Sequence, residues 1–346
     1  MKVLVIGDTH FDNQYKGQLW AQTETVLKLV QDSCPQIVVF LGDIYHHRHP
    51  DVEVLWEVQK LMRRLELQPG LKRIVILRGN HDSVDKSDSE LTALLLLEYP
   101  GSKVDVMEFS SPDYDLGFCY IPHYEDESRI KYDLEFVKDQ IVFGHFGYEG
   151  CINTGQYFNF KVTKDDLKTR TILGHIHRYS EDGNVTILGT PWPTSFGECD
   201  YPHYVGELTR NADGSWSDLK KIEVNFGPRY FQCPLESLEI LKEEIMDPRY
   251  FTILRVYANK FSDESTLDLR SKILSEYGVA YVDIKFKPML DPKLEQMLSN
   301  FDPQVPLDKI DNTILDKYID EQATSIPKEK LIAGLDKIKE HANKGD

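Results

Sequence analysis

The chain has no stretch approaching about 18 uninterrupted apolar residues, which excludes a conventional membrane-spanning helix. Cysteine is sparse. Cys34, Cys119, Cys151, Cys199 and Cys233 are odd in number and scattered, with no CxxC pair and no zinc-finger spacing. A disulfide scaffold and a thiolate zinc module are therefore excluded, and the five read as reduced thiols, several of them buried. Basic residues are in deficit, 40 Lys and Arg against 57 Asp and Glu, for a net charge of −17. That balance argues against holding nucleic acid by a general basic surface, because phosphate binding draws on Lys and Arg. Internal repeats, low-complexity tracts and long heptad runs are also missing. Met1-Lys2-Val3-Leu4-Val5 passes directly into a motif instead of a signal-peptide pattern, which points to a cytosolic protein. What is present is 346 residues at 41% hydrophobic content, enough to bury a core, with two domains and a tail as the expected organisation.

The first half alternates β-branched runs with helical stretches: Val3 to Ile6, Leu19 to Val30, Ile37 to Leu41, Val54 to Leu65 and Ile74 to Leu77. This is a βαβαβ pattern and predicts an α/β sheet whose functional loops follow the carboxyl ends of the strands. Further strands are expected at Val104 to Val106, Phe118 to Ile121, Ile141 to Phe143, Thr171 to Leu173 and Val185 to Leu188. Connections are expected around Ser110 to Tyr114 and Gly147 to Gly155, the latter as a mobile loop near the site. Tyr204 to Leu208 and Leu219 to Val224 flank the turn signal Asn211-Ala212-Asp213-Gly214 and predict a hairpin. A smaller β-α-β-α-β unit follows, from Phe231 through helical Leu235 to Met246, strand Phe251 to Tyr257, helical Glu264 to Glu276 and strand Val279 to Lys287. Beyond Pro292 the pattern is helical, ending in Lys328 to Ala342 with Leu331, Ile332, Leu335 and Ile338 at helical spacing. That stripe fits either core packing or a partner-binding face.

Five short clusters in the first half each follow an apolar run. They read Gly7-Asp8-Thr9-His10, Gly42-Asp43, Gly79-Asn80-His81-Asp82, Gly144-His145 and Gly174-His175-Ile176-His177. Asp8 and His10 flank one residue, and in an extended segment both would point the same way and reach one ion. Asp43 can bridge two ions through its two oxygens, about 3.5 to 4 Å apart. Asn80 offers a carbonyl oxygen, and His145, His175 and His177 offer imidazoles. Mixed N and O ligation without thiolates suits Mn²⁺ best, with Fe²⁺, Co²⁺ or Zn²⁺ admissible and Ca²⁺ disfavoured. Such a pair of ions clamps a phosphate, activates a water and supplies about four positive charges, so an acidic chain can still be a nuclease. His81 is placed beside the ions to protonate a leaving oxygen. Asp82 can orient His81 or cap the backbone ahead of Ser83 and Val84. His46, His47 and His49 form a polar loop or a separate metal site. Lys60, Arg63, Arg64, Lys72 and Arg73 are either DNA contacts or ordinary solvated residues.

In this order the clusters resemble the calcineurin-like metallophosphoesterase superfamily, with its D-x-H, G-D, G-N-H-[DE], G-H and G-H-x-H pattern. Gly42-Asp43-Ile44-Tyr45-His46 with Pro50, then Gly189-Thr190-Pro191 and Ser195-Phe196-Gly197-Glu198, look like the SbcD-type nuclease subunit of double-strand-break repair complexes and related phage recombination endonuclease subunits. The motifs cover roughly residues 1 to 200. The resemblance implies a β-sandwich flanked by helices over residues 1–225, a DNA-capping α/β domain over 226–290, and a helical tail over 291–346 that docks on an SMC-like coiled-coil ATPase. It implies two Mn²⁺ ions, one on Asp8, His10, Asp43 and His177 and the other on Asp43, Asn80, His145 and His175. It makes His81 catalytic, and gives His46 a role in placing the DNA phosphate and favouring exonuclease action. It further implies a homodimer through helices such as Val54 to Leu65 or Leu91 to Leu97, faces that fit core packing equally well. The expected activity is Mn²⁺-dependent DNA exonuclease and endonuclease hydrolysis, in a bacterial or phage-infected cytosol and away from membranes. The rivals are a small-molecule phosphodiesterase or phosphatase with the same site, and an inactive phosphoesterase scaffold.

Overall fold

A computed structural model describes residues 1–85, 92–151, 160–258 and 266–286 of the chain. Four parallel strands, β1 (Lys2–Ile6), β2 (Ile37–Phe40), β3 (Arg73–Leu77) and β4 (Val104–Met107), lie side by side in that order. Strands β5 (Ser111–Asp113), β6 (Phe118–Ile121), β7 (Ile141–Gly144), β8 (Thr171–Leu173), β9 (Ser180–Asp182) and β10 (Val185–Ile187) make a second sheet in the order β5-β6-β7-β8-β10-β9. The chain then returns to the first sheet as the antiparallel hairpin β11 (Tyr204–Thr209) and β12 (Lys220–Glu223), with β11 beside β1. The hairpin turns where expected, with the Gly214 amide donating to the Asn211 carbonyl.

Two inner faces meet in one apolar layer: Val3, Val5, Val39, Leu41, Val75 and Leu77 from the first sheet against Phe118, Phe143, Ile172 and Leu188 from the second. Helices cover the outer faces. α1 (Gln18–Ser33) and α2 (Val52–Glu66) pack on the first sheet, and α3 (Glu127–Glu135) on the second. α2 shows why the local sequence folds this way. The Asp51 carboxylate caps it by accepting from the Val54 amide at 3.0 Å. Its buried Val54, Val58, Leu61, Met62 and Leu65 recur at helical spacing and face the core.

A third, wholly parallel sheet follows, built from β13 (Gly227–Pro234), β14 (Tyr250–Ala258) and β15 (Tyr281–Phe286). α5 (Thr266–Tyr277) packs on it through Leu269, Ile273 and Tyr277.

Three expectations are corrected. The connection around Ser110 to Tyr114 contains β5, which extends the second sheet by pairing with β6. The helix expected over Leu235 to Met246 is a 3-10 turn at Leu235–Ser237 followed by the short α4 (Lys242–Ile245). Arg229 and Thr252 donate to the Ile245 carbonyl, and Arg229 also to that of Glu244, so side chains from the sheet satisfy the carbonyls at the end of α4. The segment named near Leu91 to Leu97 is a 3-10 helix over Ala93–Leu97. Arg64 pairs with Glu24, Lys60 with Glu57, and Arg73 with Asp105 and Asp113. Carboxylates thus neutralise three of the five basic residues weighed as DNA contacts, and Arg73 starts β3 at the end opposite the clusters. The helical tail, and residues 152–155 of the predicted loop, lie outside the described residues.

Candidate metal centre

All seven candidate ligands sit just past the carboxyl ends of parallel strands. Asp8 and His10 follow β1, Asp43 follows β2, Asn80 follows β3, His145 follows β7, and His175 and His177 follow β8. Two sheets therefore contribute to one crevice, the place where open α/β sheets bind ligands. The backbone is forced to converge there. His10, Asp43 and His175 have φ of 43°, 47° and 78°, in the left-handed region that non-glycine residues rarely occupy. The extended geometry expected for Asp8-Thr9-His10 does not occur, because the chain turns at His10 and its amide donates to the Asp43 carbonyl at 2.9 Å. Two glycines make the approach possible. A Cβ on Gly42, whose φ is 111°, would lie 2.3 Å from the His145 ring, and one on Gly79 would lie 2.1 Å from Asp43 Oδ1.

The side chains form two halves around Asp43. On one side His10 Nε2 stands 3.0 Å from His177 Nε2 and 3.7 Å from Asp43 Oδ2. On the other, His145 Nε2 is 3.5 Å from the same Asp43 Oδ2 and 3.0 Å from Asn80 Oδ1, while His175 Nδ1 is 2.8 Å from that Asn80 oxygen. Asp8 contacts the His145 and His175 side, with Oδ2 accepting from the His175 amide at 2.8 Å and Oδ1 lying 3.4 Å from His145 Nδ1. Asp43 Oδ1 accepts from the His81 amide at 2.7 Å, and Oδ2 is the oxygen that lies 3.7 Å from His10 Nε2 and 3.5 Å from His145 Nε2.

The His81 ring is steadied by the His46 carbonyl, which accepts from Nδ1 at 2.6 Å and leaves Nε2 for the site. Its ring lies 4.9 Å from that of His10 and 6.0 Å, stacked, from that of His46. Asp82 neither orients His81 nor caps a helix. Its buried carboxylate accepts from the amides of Gly79, Ile44 and Tyr45 and ties the loop after β2 to the loop after β3. His47 is exposed, and with Asp12 and His46 it makes a second, rim group whose ligand-type atoms lie within 4.8 Å of one another. Two neighbours carried no assigned role in the sequence. Glu198 Oε1 accepts from His177 Nδ1 at 2.6 Å, and His123 stacks on His175 at 5.8 Å. Glu198 stood in a quoted motif, yet its pairing with a histidine 21 residues away has no sequence signal.

The electrostatics follow from burial and crowding. His10 is held well below the usual histidine range by burial and then by His177. Burial and the neighbouring His145 push His175 down to about 3. For His145 burial acts downward, but Asp43 and Asp8 outweigh it and raise the ring well above its ordinary value. Burial acts upward on Asp43, and His145 and His10 overcome it to hold the carboxyl well below its ordinary value. Asp8 is raised by burial, and Asp82 is pushed up to about 7 by burial and the charge of Asp43. Such opposed shifts within one crevice are typical of functional sites.

These residues fit a pair of divalent cations. Asp8 Oδ1 is buried without a hydrogen bond, and two imidazole nitrogens face each other 3.0 Å apart, an arrangement that needs a proton or cation between them. His10, Asp43 and His81 also form a group whose ligand-type atoms lie within 4.8 Å of one another. Nitrogen and oxygen donors without sulfur match the transition metals named above.

Among the described residues no helix is long and apolar enough to cross a membrane. No curated protein matches the chain. Many solved structures resemble it, among them the following two. GAP50, the anchor in the inner membrane complex of Plasmodium, is 14% identical over 65% of this chain and 89% of its own, with a TM-score of 0.37. A cold-active protein-tyrosine phosphatase of the psychrophile Shewanella sp. is 16% identical over 63% and 80%, with a TM-score of 0.29. Residues 1–179 match the family model described as calcineurin-like phosphoesterase. With more than half its length under that match, the chain belongs to the calcineurin-like phosphoesterases, a family of metal-dependent phosphoester hydrolases with a dinuclear site.

Proposed function

We propose that the protein is a DNA phosphodiesterase with exonuclease and endonuclease activity, and that it works with an SMC-like ATPase. The observation that carries this reading is the third sheet. Residues from 227 onward add an α/β unit beside a complete set of phosphoesterase residues, and its Tyr230 and Ile253 pack against Phe196, two residues from Glu198. A small phosphate ester needs no such cap, whereas a duplex held over the crevice does. We assign residues 1–225 to the nuclease domain, 226–290 to the cap and 291–346 to ATPase docking. A homodimer and a cytosolic setting complete the reading.

Asp8, His10, Asp43 and His177 would hold one Mn²⁺, and Asp43, Asn80, His145 and His175 the other. When bound, the two ions supply Lewis acidity toward the scissile phosphate and a water activated for in-line attack. The protein's part is positional. Asp43 Oδ2 faces both halves, and the His145 ring is fixed by the Leu41 carbonyl, which accepts from Nδ1 at 2.7 Å. The His46 carbonyl keeps the His81 ring aimed so that Nε2 can give a proton to the departing oxygen. General acid catalysis of this kind is worth about 10² to 10⁴ in rate. The His46 ring, beside His81, helps place the phosphate.

The test is Mn²⁺-dependent degradation of end-labelled linear duplex DNA alongside hydrolysis of bis-p-nitrophenyl phosphate, in wild type and His81→Ser. The expected result is that wild type degrades both and the variant neither. Hydrolysis of the small ester alone, unchanged on adding the ATPase partner, would replace the nuclease reading with a small-molecule phosphodiesterase.

A further inference from the structure

The two outer imidazoles are held differently. His145 is anchored by a backbone carbonyl of the sandwich, whereas His177 is anchored by the side chain of Glu198 in a short turn, Phe196–Glu198. We infer that this turn is a strut through which the third sheet positions His177, so that one half of the metal centre depends on the cap and the other does not. The inference rests on the dinuclear reading of the site but not on the identity of the substrate.

Both ends of the strut are defined. At the inner end Glu198 is buried and uses both oxygens. Oε1 accepts from His177 Nδ1, and Oε2 accepts from the Thr194 amide at 2.7 Å and its hydroxyl at 2.9 Å. With Nδ1 carrying the proton, His177 Nε2 is turned toward His10. At the outer end all three strands of the third sheet take part. Phe196 packs edge-on against Tyr230 of β13 at 4.9 Å and against the fully buried Ile253 of β14. The Arg255 guanidinium of β14 lies 3.9 Å from the centre of the Phe196 ring and is fixed by Asp283 of β15 at 2.8 Å. From the sandwich side, Tyr15 meets Tyr281 at 4.5 Å and Tyr230 at 6.2 Å. A movement of the third sheet is therefore a movement of Phe196, and two residues later of the carboxylate that aims His177. Glu198 and Phe196 are positioning residues in this account. Carboxylate partners of metal-binding histidines are worth about 10- to 100-fold in metal affinity.

The experiment is calorimetric titration of Mn²⁺ into the full chain after removal of metal, a readout independent of any substrate. Wild type should take up two ions. Glu198→Ala should weaken one of them by roughly 10- to 100-fold and leave the other unchanged. Glu198→Gln, which keeps an acceptor for His177 Nδ1, should fall between the two and serves if the alanine variant does not fold. Phe196→Ala should weaken the same ion by a smaller factor. Ile273→Val, which trims the third sheet's packing on α5 away from the turn, should shift neither. Two unchanged ions in both Glu198 variants would overturn the inference. So would a loss in Ile273→Val as large as in Phe196→Ala, since general loosening of the cap would then explain both. Wild type taking up fewer than two ions would instead sink the dinuclear reading itself.

Discussion

The halves of the candidate centre differ in what holds them. The half at His145 and His175 is set into the sandwich: His145 is fully buried, its ring is fixed by Leu41, and Gly42 leaves no room beside it. In the half at His10 and His177 the His10 ring is buried as well, but the His177 side chain, 27% exposed, is tied to a turn that the third sheet packs against. The strut inferred above would make one seat of the centre rigid and the other adjustable, with the adjustable side facing the added domain. Phe196 and Glu198 thereby connect the third sheet to His177.

The largest effect is expected at the atom both halves share. Asp43→Ala should remove the oxygen that faces both histidine pairs. It should cost more than the roughly 10- to 100-fold in metal affinity typical of outer partners, and elemental analysis should find neither ion retained and phosphodiesterase activity at background. His81→Ser comes next. It should lower hydrolysis by about 10² to 10⁴ with both ions in place, and loss of the ions would mean that His81 had been misread. Gly42→Ala sharpens the rigid side. An added methyl 2.3 Å from the His145 ring, at a φ of 111°, should destabilise the fold by about 1 to 3 kcal/mol, read by thermal unfolding, and weaken the His145 side first. Removing the segment after residue 290 should have the smallest effect on the centre. Nuclease activity should persist while ATPase binding is lost, and intact complex formation would refute the docking assignment.

The rigid half was largely legible from the sequence, and the adjustable half was legible only in part. Gly42-Asp43, Gly144-His145 and Gly174-His175 announce themselves because each ligand type follows a glycine at a strand end, and the glycine is demanded by the approach of another strand's side chain. Asp8 and His10 could be paired from their spacing, but their turned backbone could not, since the left-handed φ of His10 comes from a hydrogen bond to Asp43, 33 residues on in sequence. Asp82 was read through its neighbour His81, while the structure has it serving amides in two loops. Glu198 escaped assignment because its partner is distant in sequence and its turn is defined by aromatic packing from the third sheet. Apolar periodicity likewise favours one helix over 235–246, and the interruption between Ser237 and Lys242 has no counterpart in that pattern.

On the proposed reading, these seven residues hold two ions around Asp43. The most direct measurement is anomalous diffraction at the manganese edge from crystals grown with Mn²⁺. Two peaks flanking Asp43 Oδ2 are expected, one beside His10 and His177 and the other beside Asn80, His145 and His175. A single peak, or manganese at Asp12, His46 and His47 on the rim with none at Asp43, would contradict it.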